Sequence, residues 1–506
     1  MRDALVAGWL LAAALPSQGW AQSEVRVTSA QGSAGIVAAL SGASPGTRIV
    51  TEAGTYFGPV QVSGINGTSA QPIELLAEGT VILDARGSAQ ESVPASASSL
   101  SISSSSNLLV EGFELTSGRR GIFLSACDSV VLRGNHVHDV NEKGIVVSTS
   151  AKTTVSGNRI ERIADHSGIA SEGTSLELLI TDNVVVDTHI HGIVIADTAL
   201  SPIVRRNIVQ RSGVYPSFEG GAGALIENNL LIDIGGQGMT VLSPDAIIRN
   251  NVLDEWTWSG ILANEETLNL ALENNIFRSS AATVVEMPTA ARATLDADYN
   301  QYVLGSQSFT ASESFADWQA TGQDLHGFLG PAPFVSDNAQ REASAVVYTL
   351  RTCAAAVDHG SPALEDADQP PGLGAARSDL GIFGGPGNGW AASEMGSVDA
   401  GCPGDAGSDS ADAREGSPDV RGPADGSSLS TDGGDAGSEG ADVFQDGGTR
   451  ILYFSEGCGC FATQATSEVL AVGLAALALA LATRRRQNVP RRYQSVRTDR
   501  PSSPTR

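Results

Sequence analysis

Lysine is almost missing from this chain of 506 residues: Lys143 and Lys152 are the two that occur, and 57 acidic residues outweigh 31 basic ones for a net charge of −26. Phosphate backbones are held mainly through Lys and Arg, so a body this short of cations excludes nucleic acid as the expected partner. An acidic polysaccharide would be repelled as well unless a divalent cation bridged the carboxylates. Cysteine is scarce too. Cys127 reads as a buried small hydrophobe, Cys353 and Cys402 flank the end of the body as a candidate disulfide, and Cys458 and Cys460 stand together near the C-terminus. The 3.6-residue apolar period of helices is also lacking, which argues against a helical repeat.

The two ends differ from the body. Residues 1–21 carry an early Arg2, an apolar run and a Gly-Trp-Ala end, and read as a secretory signal that predicts export. Residues 391–450 hold 13 acids, 3 bases and almost no large apolar residue, too little to bury, so they read as a disordered acidic stalk. EGCGC follows at 456–460, then a 14-residue apolar run at 469–482, the cluster Arg484, Arg485 and Arg486, and a basic tail at 487–506. A short hydrophobic helix ended by arginines predicts either a plain membrane anchor or a sorting signal cut after use. The order of cysteine motif, apolar helix and arginine cluster resembles the myxobacterial-type sorting tail, MYXO-CTERM. That resemblance implies surface display, with Cys458 or Cys460 near a processing point and a sorting peptidase as partner.

Between these ends lies a repeat. Asn135, Asn158, Asn183, Asn207, Asn229, Asn251 and Asn275 recur at 22 to 25 residues, each with an aliphatic residue three positions before it and an apolar one two after. A second beat, Gly121-Ile122, Gly144-Ile145, Gly168-Ile169, Gly192-Ile193, Gly213-Val214, Gly238-Met239 and Gly260-Ile261, recurs at 21 to 25 residues. Three short alternating segments and three turns fill each period, which predicts an all-β coil of three strands stacked into a solenoid. Inward Asn side chains at a sharp turn would then bond up and down the stack. Residues 25–390 resemble the right-handed parallel β-helix repeat proteins, the superfamily of pectate lyases, chondroitinase-B-like lyases and alginate epimerases. Pro45-Gly46 and Gly54-Thr55-Tyr56 carry that resemblance at one end, and DYNQYV, GPAPFV and DLGIFGGPG carry it at the other.

The resemblance implies a substrate cleft over the turn before each Gly-Ile and the strand after it. Aligned on the glycine, Glu142, Lys143, Asp165, His166, His189 and His191 fall in three adjacent coils, within roughly 10 Å at the inter-strand spacing, with His136, His138 and Asp139 near the rim. Lys143, His189 or His191 would serve as base for a proton beside a uronate carboxylate, with a cation or Arg to neutralise it. Asp165 or Asp187 could hold calcium, and His189, His191 and Asp165 could hold a transition metal, although no cofactor is assigned. Trp256 and Trp258 could stack on sugar rings. The Asp-Pro-His stretch of the epimerases has Ala164-Asp165-His166-Ser167 as its nearest counterpart, without the proline. Two functions follow as expectations: a surface protein that recognises or processes polysaccharide, as a lyase or epimerase on uronate polymers, or a non-catalytic adhesin-like wall. The bland alternative for the patch is an ordinary exposed turn, where His and Asp are common.

Overall fold

The computed structural model describes residues 23–390 apart from 91–96, 196–198, 213–218, 281–282, 306–308, 311, 337–340 and 365–376. The expected signal, stalk and tail, with Cys402, Cys458, Cys460 and Arg484 to Arg486, lie outside the described residues, as does the beat at Gly213-Val214. Among the described residues no helix is long and apolar enough to cross a membrane.

The chain winds into a parallel β-solenoid of about 12 turns, a right-handed parallel β-helix. Each coil contributes a strand before the Asn, a strand after it and a strand at the Gly-Ile beat. The registers follow the sequence pattern. Leu132, Val155, Ile180 and Val204 pair in line along the first wall, and Val137, Ile160, Val185, Val209 and Leu231 do so along the second. Along the third, Ile122, Ile145, Ile169 and Ile193 are aligned. Alternation points these side chains inward, and all of them are fully buried. Backbone groups bond along the axis, so the stack satisfies itself except at its ends.

The Asn column is a continuous ladder. Asn158 donates its backbone N and its Nδ2 to Asn183 Oδ1, both at 2.9 Å, and the same pair of bonds links each Asn to the next through Asn275. Asn300 extends it by one coil. The left-handed backbone of the turn falls one residue before the ladder Asn: Asp182, Arg206, Asn228, Asn250 and Asn274 have φ between +51° and +60°. The inward Asn therefore keeps an ordinary conformation and its predecessor makes the corner.

The glycine beat has a packing cause. A Cβ on Gly144 would lie 2.4 Å from Gly168 O and 2.6 Å from Ile160 Cγ2. At Gly121 and Gly168 the side-chain obstacles are Val137 and Val185, the residues two positions after the ladder Asn. The two sequence beats are thus the two sides of one contact.

Two helices close the ends of the solenoid, and a single-turn helix, Thr289–Arg292, interrupts a coil whose next strands still pair in register. Gly32–Ser41 buries Ile36 and Leu40 in the same core as Val27, Ile49 and Tyr56, capping the first coil and covering an edge that would otherwise pair with other chains. Phe315–Ala320 buries Phe315 and Trp318 at the other end. The remaining C-terminal segment turns back along the outside of the second wall. There Phe334, Tyr348, Leu380, Ile382 and Phe383 cover outward Ile208, Leu230, Ile232, Val252 and Ile276 in a second core. Asn228, Asn250 and Asn274 anchor it through Nδ2 bonds to Ile382 O, Asp379 O and Ser378 Oγ. Cys353 is disulfide-bonded and Cys127 is a buried free thiol. The partner of Cys353 therefore lies outside the described residues.

Candidate functional site

The expected columns exist. Lys143 pairs in register with Arg120 on one side and Ser167 on the other, and Ser167 pairs with His191. These positions open the strands Arg120–Ser125, Lys143–Ser148, Ser167–Glu172 and His191–Ile195. Turn residues just before the strands bring Glu142 and His166 beside them, because the chain enters each strand from the same corner.

Lys143 is buried, with 9% of its side chain exposed, and its Nζ lies 2.6 Å from Glu172 Oε1 and 3.9 Å from Glu142 Oε1. The carboxylates of Glu172 and Glu142 thus supply the close counter-charge that a buried ammonium requires. Glu142 also takes Arg119 at 2.5 Å and Arg120 at 3.5 Å, and Arg120 lies 4.6 Å over the Phe123 ring.

His166 stands within electrostatic reach of Lys143, Glu142 and Glu172. Burial lowers its pKa below the ordinary histidine value, and the charge of Lys143 lowers it further against the opposing pull of Glu142, Asp165 and Glu172. Its Nδ1 is hydrogen-bonded to the Ser167 hydroxyl, which leaves Nε2 for another partner. The His191 ring lies 5.2 Å away, centroid to centroid.

The other candidates are placed differently. Asp165 and His189 are exposed at the turn. Asp187 turns away into a two-pronged bridge with Arg211, at 2.6 and 3.0 Å, so its carboxylate is already matched by a cation. Trp256 is 4% exposed, donates Nε1 to Thr283 O at 2.9 Å and meets Phe277 edge-on. It is a core residue and not a sugar platform, because its strand turns it inward where Val140 and Ile163 stand in earlier coils. Trp258 is 43% exposed at the turn before Ser259–Ala263. It stands about three coils from His191, roughly 14 Å at the strand spacing.

Three groups escaped the reading of the sequence: Arg119, Arg120 and Glu172. Arg120 occupies the position before Gly121, so one more coil in the same column would have found it. Glu172 closes a strand five residues after the column, and no periodicity links it to Lys143.

The family comparison agrees with the architecture. Residues 91–215 match the family described as right handed beta helix region. No curated protein matches the chain. Among solved structures, an alginate lyase from Paenibacillus sp. str. FPU-7 is similar at 17% identity and a TM-score of 0.40, over 56% of this chain and 100% of that one. Pectate lyase Pel9A is similar at 14% identity and a TM-score of 0.42, over 68% and 90%. A GH136 lacto-N-biosidase from Eubacterium ramulus is similar at 12% identity and a TM-score of 0.45, over 61% and 67%.

Proposed function

We propose that this chain is an exported, surface-anchored β-helix protein that binds and processes a uronate polysaccharide over the Lys143–His166–His191 corner. The observation that carries the reading is the placement of His166, whose pKa is lowered by burial and by Lys143, with the cations Arg119, Arg120 and Lys143 in neighbouring coils. Proton abstraction beside a carboxylate needs a neutral base at working pH and positive charge near the developing enolate-like oxygens. A stacked wall also offers successive sugar rings a repeat in register. Export and anchoring rest on the signal-like residues 1–21 and the cysteine, apolar and arginine pattern of 456–486.

The test is ultraviolet detection of unsaturated products from a panel of uronate polymers, with and without added calcium, alongside solvent-deuterium exchange for epimerisation. Activity in the wild type that is lost in His166→Gln supports the reading; no product and no exchange with any polymer defeats the catalytic part. A non-catalytic glycan-binding wall is the second reading. It is favoured by one fact: Arg119, Arg120 and Lys143 are already matched by Glu142 and Glu172, so a substrate carboxylate must compete for them. Glycan binding without turnover would establish it.

A further inference from the structure

A second cluster lies on a different wall, outside the corner just described. Glu114 and His136 are register partners in adjacent coils, and His138 follows two residues along the same face of its strand. One donor atom from each of the three lies within 4.8 Å of the other two. We infer that Glu114, His136 and His138 form a binding site for a divalent transition metal of the zinc class, with at least one coordination position left to water or a ligand.

The donor set points to that class. Two imidazole nitrogens and one carboxylate suit zinc and its neighbours, whereas calcium and magnesium take oxygen donors. Three protein ligands with an open position is the pattern of exposed, reactive sites rather than closed structural ones. The backbone is already organised, because all three residues sit on parallel strands whose spacing the solenoid sets. Drawing three donors onto ligand bonds of about 2.0–2.2 Å then needs side-chain adjustment alone.

The surroundings of the histidines supply the second argument. His138 Nδ1 lies 2.6 Å from Asp139 Oδ2, while its Nε2 lies 3.0 Å from Glu114 Oε1. His138 therefore has a carboxylate at each ring nitrogen, Asp139 at Nδ1 and Glu114 at Nε2. A carboxylate on the far nitrogen of a metal-bound histidine is the usual support that fixes the ring and its tautomer. Glu161 lies 3.2 Å from His136 Nε2, but its oxygens are held by Arg159 and Arg162, so it steadies the ring. Asp139 is likewise held by Arg162. Glu114 differs from both: among the described residues its carboxylate has no lysine or arginine partner. It is the acid free to give its charge to a metal.

The position in the fold agrees. Outward positions in line with His136 change from Glu114, His136 and Arg159 to Val184, Ile208, Leu230 and Val252 further along the wall. From Ile208 onward that outward row is covered by the C-terminal segment. The polar cluster is thus the uncovered continuation of a face buried elsewhere.

The test is Zn²⁺ titration calorimetry, with Co²⁺ absorption as a second readout, on chelator-treated full-length protein carrying Cys458→Ser and Cys460→Ser to remove competing thiolates. One equivalent should bind. His138→Ala and the double variant His136→Ala/His138→Ala should abolish the site, Glu114→Gln should weaken it, and Asp139→Asn should weaken it by about 10–100-fold through the supporting shell. Thermal unfolding in chelator checks that each variant folds, and Co²⁺ should give the intense visible bands of a low-coordinate site. His166→Gln should leave metal binding unchanged, so loss of the polysaccharide reading would not touch this one. Failure of the protein to bind Zn²⁺ below millimolar concentration, or equal binding by the double variant, overturns the proposal.

Discussion

Asn300 Nδ2 donates to Asp324 Oδ1 at 2.8 Å, so a ladder of neutral amides ends on a carboxylate. The other oxygen, Oδ2, accepts from Tyr302 Oη at 2.6 Å and Trp318 Nε1 at 3.1 Å. The preceding coils end on an amide that can accept on one side and donate on the other. The last coil has donors on both sides and no further Asn, so a group that accepts with both oxygens is required.

Replacing Asp324 with Asn keeps the acceptor for Asn300 but turns an amide NH₂ toward the Trp318 indole, leaving buried donors facing each other. A loss of about 1–3 kcal/mol is expected, read from chemical unfolding. The size of that loss should depend on pH. Burial raises the Asp324 pKa against the pull of its donors. The folded state therefore binds this proton more tightly than the unfolded chain. Wild-type stability from this group is greatest below the ordinary aspartate value and falls as pH rises through the raised value. The penalty of Asp324→Asn should accordingly shrink across that window, and a penalty that grows with pH would contradict the assignment.

Gly144→Ala tests the link between the two sequence beats. The new Cβ would meet the Gly168 carbonyl at 2.4 Å, and backbone cannot step aside as a side chain can. The expected cost is ~3 kcal/mol. Ile160→Val in the same protein should recover little, because the branched methyl nearest the Cβ remains and the carbonyl clash is untouched.

The doubled asparagines at 228–229, 250–251 and 274–275 divide two tasks. The second of each pair is the inward ladder member, and the first takes a left-handed φ and ties down the C-terminal segment. Asn250→Gly keeps the backbone freedom while deleting the bond to Asp379 O. It should raise hydrogen exchange at residues 377–390 by several-fold while leaving the wall around Val155 and Ile180 unchanged. Equal acceleration in both regions would mean that the segment and the solenoid open together.

These contrasts show what could be read from the sequence. Repetition made the coil, the seven-rung ladder and the column through Lys143 legible, because stacking turns a period of 22 to 25 residues into neighbours in space. Asn300 stands at the right interval but follows Ala297 rather than a large aliphatic residue, and so lacked part of the signature. The helix Gly32–Ser41 shows only Ile36 and Leu40 as a buried stripe, too short a pattern to stand out. Side-chain partnerships were not legible. Lys143 reaches Glu172 and Asp187 reaches Arg211 through rotamers and coil geometry that no spacing encodes. Trp256 was misplaced for a related reason, since its column faces inward only once the corner has been turned.

The same corner supplies a pH test of its own. Burial is the largest cause of the lowered His166 pKa and the Lys143 charge is the next. In Lys143→Met the burial remains and the repulsion is gone, so the His166 pKa should rise toward the ordinary histidine value. Proton NMR of the His166 ring would record the shift directly, without assuming any reaction. If His166 is the base, the acid limb of the pH–rate profile must move upward with it, because activity requires the neutral ring. Glu142→Gln removes a charge that raises the pKa and should move both readouts in the opposite sense. An NMR shift without a matching movement of the rate profile would assign proton abstraction to another residue, with His191 next in the column.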